Sequence, residues 1–239
     1  MKKLLILLLA ALMCAASAHA DSTQRIDHGA LPLDETWTDG QMRPDEYRYY
    51  PFTVEQAGKL TARVQSFYAN ACFELLDADL IGWARVYVYG SQGAPGTEDM
   101  EYYLEPGVYY LRCDGDSSTQ GDYRLKLFFA PCACDETAEN DDYHGAQALP
   151  SGKTLSGVLT QWDEFDYYSF TLPAEAQAYL TINSEANGQQ YATLYDGDMV
   201  EIKTVYDLHG YAENLRLPAG TCYVSISGAK GPYTLKVVY

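Results

Sequence analysis

The chain has 239 residues, with 33 acidic against 16 basic side chains and a formal net charge of −17. That balance excludes nucleic acid and anionic membrane surfaces as partners, since both require positive surface. It leaves two uses for the acids, a solvating surface or a cation site.

Residues 1–20 have the form of a signal peptide. Lys2 and Lys3 supply the positive end, and the apolar run Leu4 to Met13 is too short to span a membrane as a stable helix. Ala18-His19-Ala20 offers the small residues of a cleavage site before Asp21. Met13 is a poor neighbour for lipid modification of Cys14, which usually follows a small residue. The expectation is a secreted chain, periplasmic if the host has an outer membrane, with no membrane insertion.

Residues 21–131 read as antiparallel β. Short alternating segments rich in Tyr, Val, Thr and Phe are separated by turn residues, the pattern of strands with one buried and one wet face. The segments are PDEYRYYPF (Pro44 to Phe52), FELLDADL (Phe73 to Leu80), LEPGVYYLRC (Leu104 to Cys113) and GDYRLKLFF (Gly121 to Phe129). Cys113 is in step with Tyr109 and Leu111 and so belongs to the core face. A bridge from Cys72 to Cys113 is left open, because export permits disulfides. Pro131 ends the last strand of this half.

Cys132 and Cys134 flank Ala133, where a bridge would close a strained ring and a thiolate metal site would lack ligands. Then Asp135, Glu136, Glu139, Asn140, Asp141 and Asp142 crowd five carboxylates and an amide into eight positions without a Lys or Arg. Such a run is either a solvated acidic linker or a segment ordered by a cation.

Residues 132–239 repeat the first half. WDEFDYYSF (Trp162 to Phe170), ATLYDGDM (Ala192 to Met199), LPAGTCYVSI (Leu217 to Ile226) and GPYTLKVVY (Gly231 to Tyr239) follow in the same order. Their displacement from the first set is about 110 to 120 residues, one small domain. Cys222 alternates with Val224 and Ile226 and reads as core filling. The fold class is therefore all-β, two tandem jelly-roll-type antiparallel β-sandwich domains, 21–131 and 132–239.

At these residues the chain resembles the bacterial pre-peptidase C-terminal domain family. The motifs are Glu139-Asn140-Asp141, Ala148-Leu149, Asp163-Glu164-Phe165-Asp166-Tyr167-Tyr168-Ser169-Phe170, Leu194-Tyr195-Asp196, Gly220 to Ile226 and Tyr233-Thr234-Leu235. They span nearly all of 135–239, with a looser match over 26–129. The resemblance implies non-catalytic jelly-roll modules of secreted proteins, similar to collagenase collagen-binding domains, several of which bind calcium. It implies calcium in the second domain, with Glu136, Asn140, Asp141, Asp163 and Asp166 as ligands. Ala138 departs from the family by replacing a second acid, so a single ion is the expectation. In the first domain Asp45 matches Asp163, but Arg48 stands where Asp166 would be, and a guanidinium excludes a cation.

His28, His144 and His209 show no zinc spacing, and neither HExxH nor Gly-x-Ser-x-Gly occurs. An enzyme is not expected. The 22 tyrosines are explained by strand propensity and core packing, or in part by an outward aromatic platform. The platform candidates are Tyr87 and Tyr89, which alternate on WARVYVY with Trp83. The expected function is binding of an extracellular protein or polysaccharide, or assistance to a secreted peptidase. A structural role in the cell envelope is the alternative, with a secreted hydrolase behind it.

Overall fold

The computed structural model describes residues 24–67, 70–91, 93–114, 120–136 and 140–239, and of Trp83 the backbone only. The expected signal peptide lies outside the described residues, as does Glu139.

The chain forms strands and no helix among the described residues. The first half contains β1 (Gln24–Asp27), β2 (Thr38–Met42), β3 (Glu46–Val54), β4 (Gly58–Phe67), β5 (Asn70–Leu76), β6 (Gly82–Tyr89), β7 (Gly96–Leu104), β8 (Gly107–Asp114) and β9 (Gly121–Pro131). The second contains β10 (Gln147–Ala148), β11 (Thr154–Leu159), β12 (Phe165–Leu172), β13 (Ala176–Ser184), β14 (Gln190–Tyr195), β15 (Glu201–Val205), β16 (Tyr211–Leu217), β17 (Gly220–Gly228) and β18 (Gly231–Val238).

A five-stranded sheet β1-β3-β8-β5-β6 and a four-stranded sheet β2-β9-β4-β7 make the first sandwich. The second is β10-β12-β17-β14-β15 with β11-β18-β13-β16. Each strand of the second sandwich occupies the place of the strand nine earlier in the first, so the sequence repeat is also a repeat of topology. The short lead-in strands β1 and β10 pair in parallel with β3 and β12, and every other pairing is antiparallel.

Period-two alternation builds both cores. Tyr168, Phe170 and Leu172 of β12 point inward with Cys222, Val224 and Ile226 of β17. Tyr50, Phe52 and Val54 do the same with Tyr109, Leu111 and Cys113. Each such side chain, taken fully out of water, contributes about 1.5–3 kcal/mol. In both cores a tyrosine pair spans the two sheets hydroxyl to hydroxyl, Tyr50 to Tyr123 at 2.6 Å and Tyr168 to Tyr233 at 2.7 Å. Glycine opposite makes room for the ring: a Cβ on Gly40 would lie 2.3 Å from Tyr123, and one on Gly157 2.4 Å from Tyr233.

Among the described residues the five cysteines are free. A Cys72–Cys113 bridge is ruled out by register, since Phe73 pairs with Cys113 while Cys72 pairs with Asp114. Neighbouring residues on a strand face opposite ways, so Cys113 lies in the core and Cys72 on the outer face.

Candidate functional site

The acidic lead-in closes over the end of the second sandwich that faces the first. Asp135 joins the edge of β11, its N–H donating to the Ser156 carbonyl at 2.7 Å and its carboxylate accepting from Ser156 N–H at 3.1 Å. This turns Glu136 inward. Glu136 Oε2 accepts from Val158 N–H at 2.8 Å, and Oε1 accepts from the Asn140 amide at 3.2 Å. The Asn140 carbonyl in turn accepts from Tyr167 N–H at 2.7 Å, stitching the lead-in to β12.

The two aspartates three apart sit at the start of β12. Asp163 is 7% exposed, and its Oδ2 accepts from Thr160 N–H at 2.8 Å and Thr160 Oγ1 at 2.6 Å. Asp166 is 1% exposed and accepts from the Tyr233 hydroxyl at 2.6 Å. Because that hydroxyl has one proton, Tyr168 is the donor in the Tyr168–Tyr233 bond. Lys230 donates to the backbone carbonyl of Asp163 rather than to a carboxylate.

Glu136, Asn140, Asp141, Asp163 and Asp166 are thus gathered in one neighbourhood, with Glu105 of the first sandwich beside them. Burial, then the charge of Glu136, raises the Asp166 carboxyl well above the usual range. Burial and Asp163 raise Asp141. Glu105 is pushed up to about 7 by burial and by Asp163, Asp141 and Glu136. Charged forms are disfavoured because the carboxyls are buried and, second, because like charges face one another. Among the described residues no group of three or more His, Cys, Asp or Glu side chains converges into a finished metal cage. Internal donors occupy one oxygen each on Asp163 and Asp166 and both oxygens on Glu136. The donor set, four carboxylates and an amide, is hard oxygen of the kind calcium takes and zinc does not favour.

The junction with the first sandwich is close. Gln161 N–H donates to the Tyr103 carbonyl at 3.0 Å, and the Trp162 ring lies 5.2 Å from that of Tyr109 against the first core. A cavity of about 410 Å³ at this junction is lined by Glu55, Glu105, Cys134, Glu136 and Thr160, among others. Sequence reasoning missed Glu105, which lies between β7 and β8, and the docking role of Trp162.

At the matching place in the first sandwich, Arg48 pairs with Glu46 at 2.5 Å and faces His28 Nε2 at 3.4 Å. On the outer face of the five-stranded sheet, Tyr87 and Tyr89 of edge strand β6 are 52% and 68% exposed. They pair across the ladder with Cys72 and Asn70. The side chain of Trp83 lies outside the described residues. His144 contacts Asp142 and Tyr143, and His209 contacts Asp207, both at the surface.

No family model and no curated protein matches the chain. Among solved structures it is similar to the pre-peptidase C-terminal domain of collagenase from Bacillus anthracis, with 20% identity over 44% of this chain and 94% of that domain at a TM-score of 0.32. It is similar to the PBSX exported protein XepA, with 12% identity over 86% of this chain and 88% of that one at a TM-score of 0.33. A secreted protein from Eubacterium rectale follows, with 10% identity, 84% and 73% coverage and a TM-score of 0.29. These likenesses concern the fold alone.

Proposed function

We propose that this is a secreted, non-catalytic binding or accessory protein in which a tandem pair of pre-peptidase C-terminal-like sandwiches is stabilised by calcium held in the second. The observation that carries the reading is the burial of Asp166 and Asp163 beside Glu136, with no Lys or Arg side chain among the described residues bonded to any of the three carboxylates. Buried charge of one sign is costly until it is paired. Glu136, Asn140, Asp141, Asp163 and Asp166 would hold the ion, which supplies the compensating positive charge. Holding Glu136 and Asn140 down in this way fixes them against β11 and β12 and with them the junction between the modules.

The ligand surface we assign is the outer face of β6, the strand that also carries Trp83, where Tyr87 and Tyr89 offer exposed rings to an extracellular protein or polysaccharide. Assistance to a secreted peptidase is the related role. Thermal unfolding tests the calcium reading. Binding to the folded state alone raises the midpoint with calcium over chelator, and Asp166→Ala removes the rise. An equal midpoint in both conditions defeats it. Retention on collagen, gelatin or insoluble glycans, lost in Tyr87→Ala plus Tyr89→Ala, tests the surface.

A further inference from the structure

Each of the four sheets has two edge strands, and an edge presents unpaired N–H and C=O groups to any other extended chain. Shortness, charge and cover are the means by which sheets avoid stray pairing. β1 and β10 have only four and two residues. β2 carries Asp39, β7 Glu98, Asp99 and Glu101, β15 Glu201 and Lys203, and β16 Glu213 and Arg216. β11 is covered by the lead-in, which takes Ser156 N–H and C=O and Val158 N–H. β6 is the exception. It runs eight residues as GWARVYVY, with Arg85 its one charge and neither Lys nor Pro.

The ladder fixes which groups of β6 face outward, because successive residues of a strand bond to opposite sides. The Tyr49 carbonyl accepts from His28 N–H on the β1 side, so Tyr50 bonds toward β8 and its partner Leu111. One residue on, Arg112 of β8 bonds to Glu74 of β5, and next to that Phe73 bonds to Val86 of β6. Arg85 and Tyr87 then turn N–H and C=O to the free edge, where no strand pairs with β6 among the described residues. Beyond them the edge is closed by the corner into β7, where a Cβ on Gly96 would lie 2.3 Å from the Tyr89 carbonyl oxygen. The second copy does not repeat the feature. Register sets Tyr206 where Tyr87 stands, but there the ladder stops at Val205, and the Tyr206 carbonyl accepts from the Gln189 amide at 2.5 Å.

Spacing selects the ligand class. Two residues along a strand rise about 7 Å, and Arg85 and Tyr87 offer one donor and one acceptor at each step. Another extended backbone matches that row group for group, whereas a sugar chain carries no such alternation of amide donors and acceptors. The side chains on either face suit an added strand. Val86 on the inner face is only partly buried and packs against the first core, so an apolar residue beside it gains cover. On the outer face Tyr87 and Tyr89 are exposed, and the half-exposed Arg85 shares Glu74 with Arg112. A carboxylate on the added strand would meet the remaining donors of the Arg85 guanidinium. A second copy of the chain is disfavoured by the charge of −17 that each carries. From this arrangement we infer that the free edge of β6 takes up an extended segment of another protein as an added strand, with apolar side chains beside Val86 and an acidic one beside Arg85.

The inference rests on the assignment of ligand binding to β6 made above and narrows it to polypeptide. The test is fluorescence anisotropy of the full chain with a labelled peptide of alternating valine and threonine, one threonine replaced by glutamate. Two companions carry lysine for the glutamate, or N-methyl groups on alternate residues of the pairing edge. Binding of the glutamate peptide is expected, with loss of about tenfold on N-methylation, the worth of one or two hydrogen bonds. The lysine peptide should bind up to about fivefold more weakly. Tyr87→Pro removes an edge-facing N–H and leaves Val86 and Val88 bonded to β5, so it should weaken binding about tenfold. Its melting midpoint reports whether it is folded, and the N-methylated peptide puts the same question to unaltered protein. No binding of the glutamate peptide, equal binding of the N-methylated one, or tighter binding of the lysine one overturns the inference. So does a concentration-dependent dimer that Tyr87→Pro dissolves, which would give the edge to a second copy. If these peptides fail while Tyr87→Ala plus Tyr89→Ala still abolishes retention on a matrix, the exposed rings are the ligand surface and only the added strand is refuted. If N-methyl-sensitive binding persists in that double variant and its retention is unchanged, the edge stands and the ring surface falls.

Discussion

The hydroxyl of Tyr233 lies 2.6 Å from Oδ2 of Asp166, and both residues are 1% exposed. In the other sandwich the matching tyrosine, Tyr123, keeps its tyrosine partner but has Arg48 in the place of the aspartate. Duplication has thus preserved one hydrogen-bonded pair under opposite charges. In the second copy the cost of a buried carboxylate falls on the fold itself, and it can be measured.

The first expectation concerns pH in the presence of chelator. Asp166 and Glu105 both titrate higher in the folded state than when unfolded. For an acid this means that the folded state binds the proton more tightly. The stabilisation is present at low pH and is lost as pH rises from the ordinary carboxylate value near 4, ending for Glu105 at about 7. Chelated protein should therefore melt higher at ~pH 5 than at ~pH 8, and calcium should flatten the difference. Asp166→Asn keeps an acceptor for Tyr233 and discards the charge. It should stabilise the chelated protein at neutral pH by about 1–3 kcal/mol while losing the response to calcium. A scanning calorimetry series in pH decides the matter, and a chelated midpoint that climbs with pH contradicts it.

The two tyrosine pairs give a matched comparison. Tyr123→Phe removes one neutral hydrogen bond and should cost about 1 kcal/mol, unaffected by calcium. Tyr233→Phe removes the donor to Asp166 and the acceptor for Tyr168 together. It should cost about 2–3 kcal/mol in chelator and less with calcium, because the ion takes over part of the charge. Urea unfolding of both variants in both buffers gives four numbers, and equal costs would show that Asp166 gains nothing from Tyr233.

The glycines facing these rings have no substitute. A Cβ on Gly157 would stand 2.4 Å from the Tyr233 ring and 2.7 Å from the Tyr168 hydroxyl, both held from either side. Gly157→Ala should cost about 2–3 kcal/mol and displace the Tyr168–Tyr233 pair. Gly40→Ala should do the same to Tyr123, and near-ultraviolet circular dichroism of the tyrosines reports the displacement.

What can be read from sequence follows the range of the interactions. Alternation along β12 and β18 is local, so the residues themselves mark the inward set Tyr168, Phe170, Leu172, Tyr233, Leu235 and Val237. The repeat exposes the exchange of Asp166 for Arg48 because it aligns one copy on the other. Register between strands is not local. Spacing alone therefore leaves a Cys72–Cys113 bridge open, and the ladder, with Phe73 opposite Cys113, closes that option. Contacts between the sandwiches are least visible. Glu105 lies in a turn motif and Trp162 at the head of a strand motif, and neither pattern says that the two meet the other copy.

Trp162 provides the sharpest test of the junction. Its ring belongs to the second sandwich by sequence yet packs 5.2 Å from Tyr109 against the core of the first, one residue before Asp163. Any shift of the Asp163 loop must therefore move the contact between modules, and the reverse. Trp162→Ala should cost about 2 kcal/mol, less than a fully buried tryptophan because the residue is only partly buried. It should also split one calorimetric transition into two, since the modules then unfold with less mutual support. Calcium affinity should fall modestly in the same variant, because the loop bearing Asp163 loses its anchor. Tyr109→Leu keeps apolar cover over the first core but removes the stacking partner, and should give a weaker form of both effects. If Trp162→Ala melts in a single transition with wild-type affinity for calcium, the modules are coupled elsewhere, and the Gln161–Tyr103 backbone bond becomes the place to look.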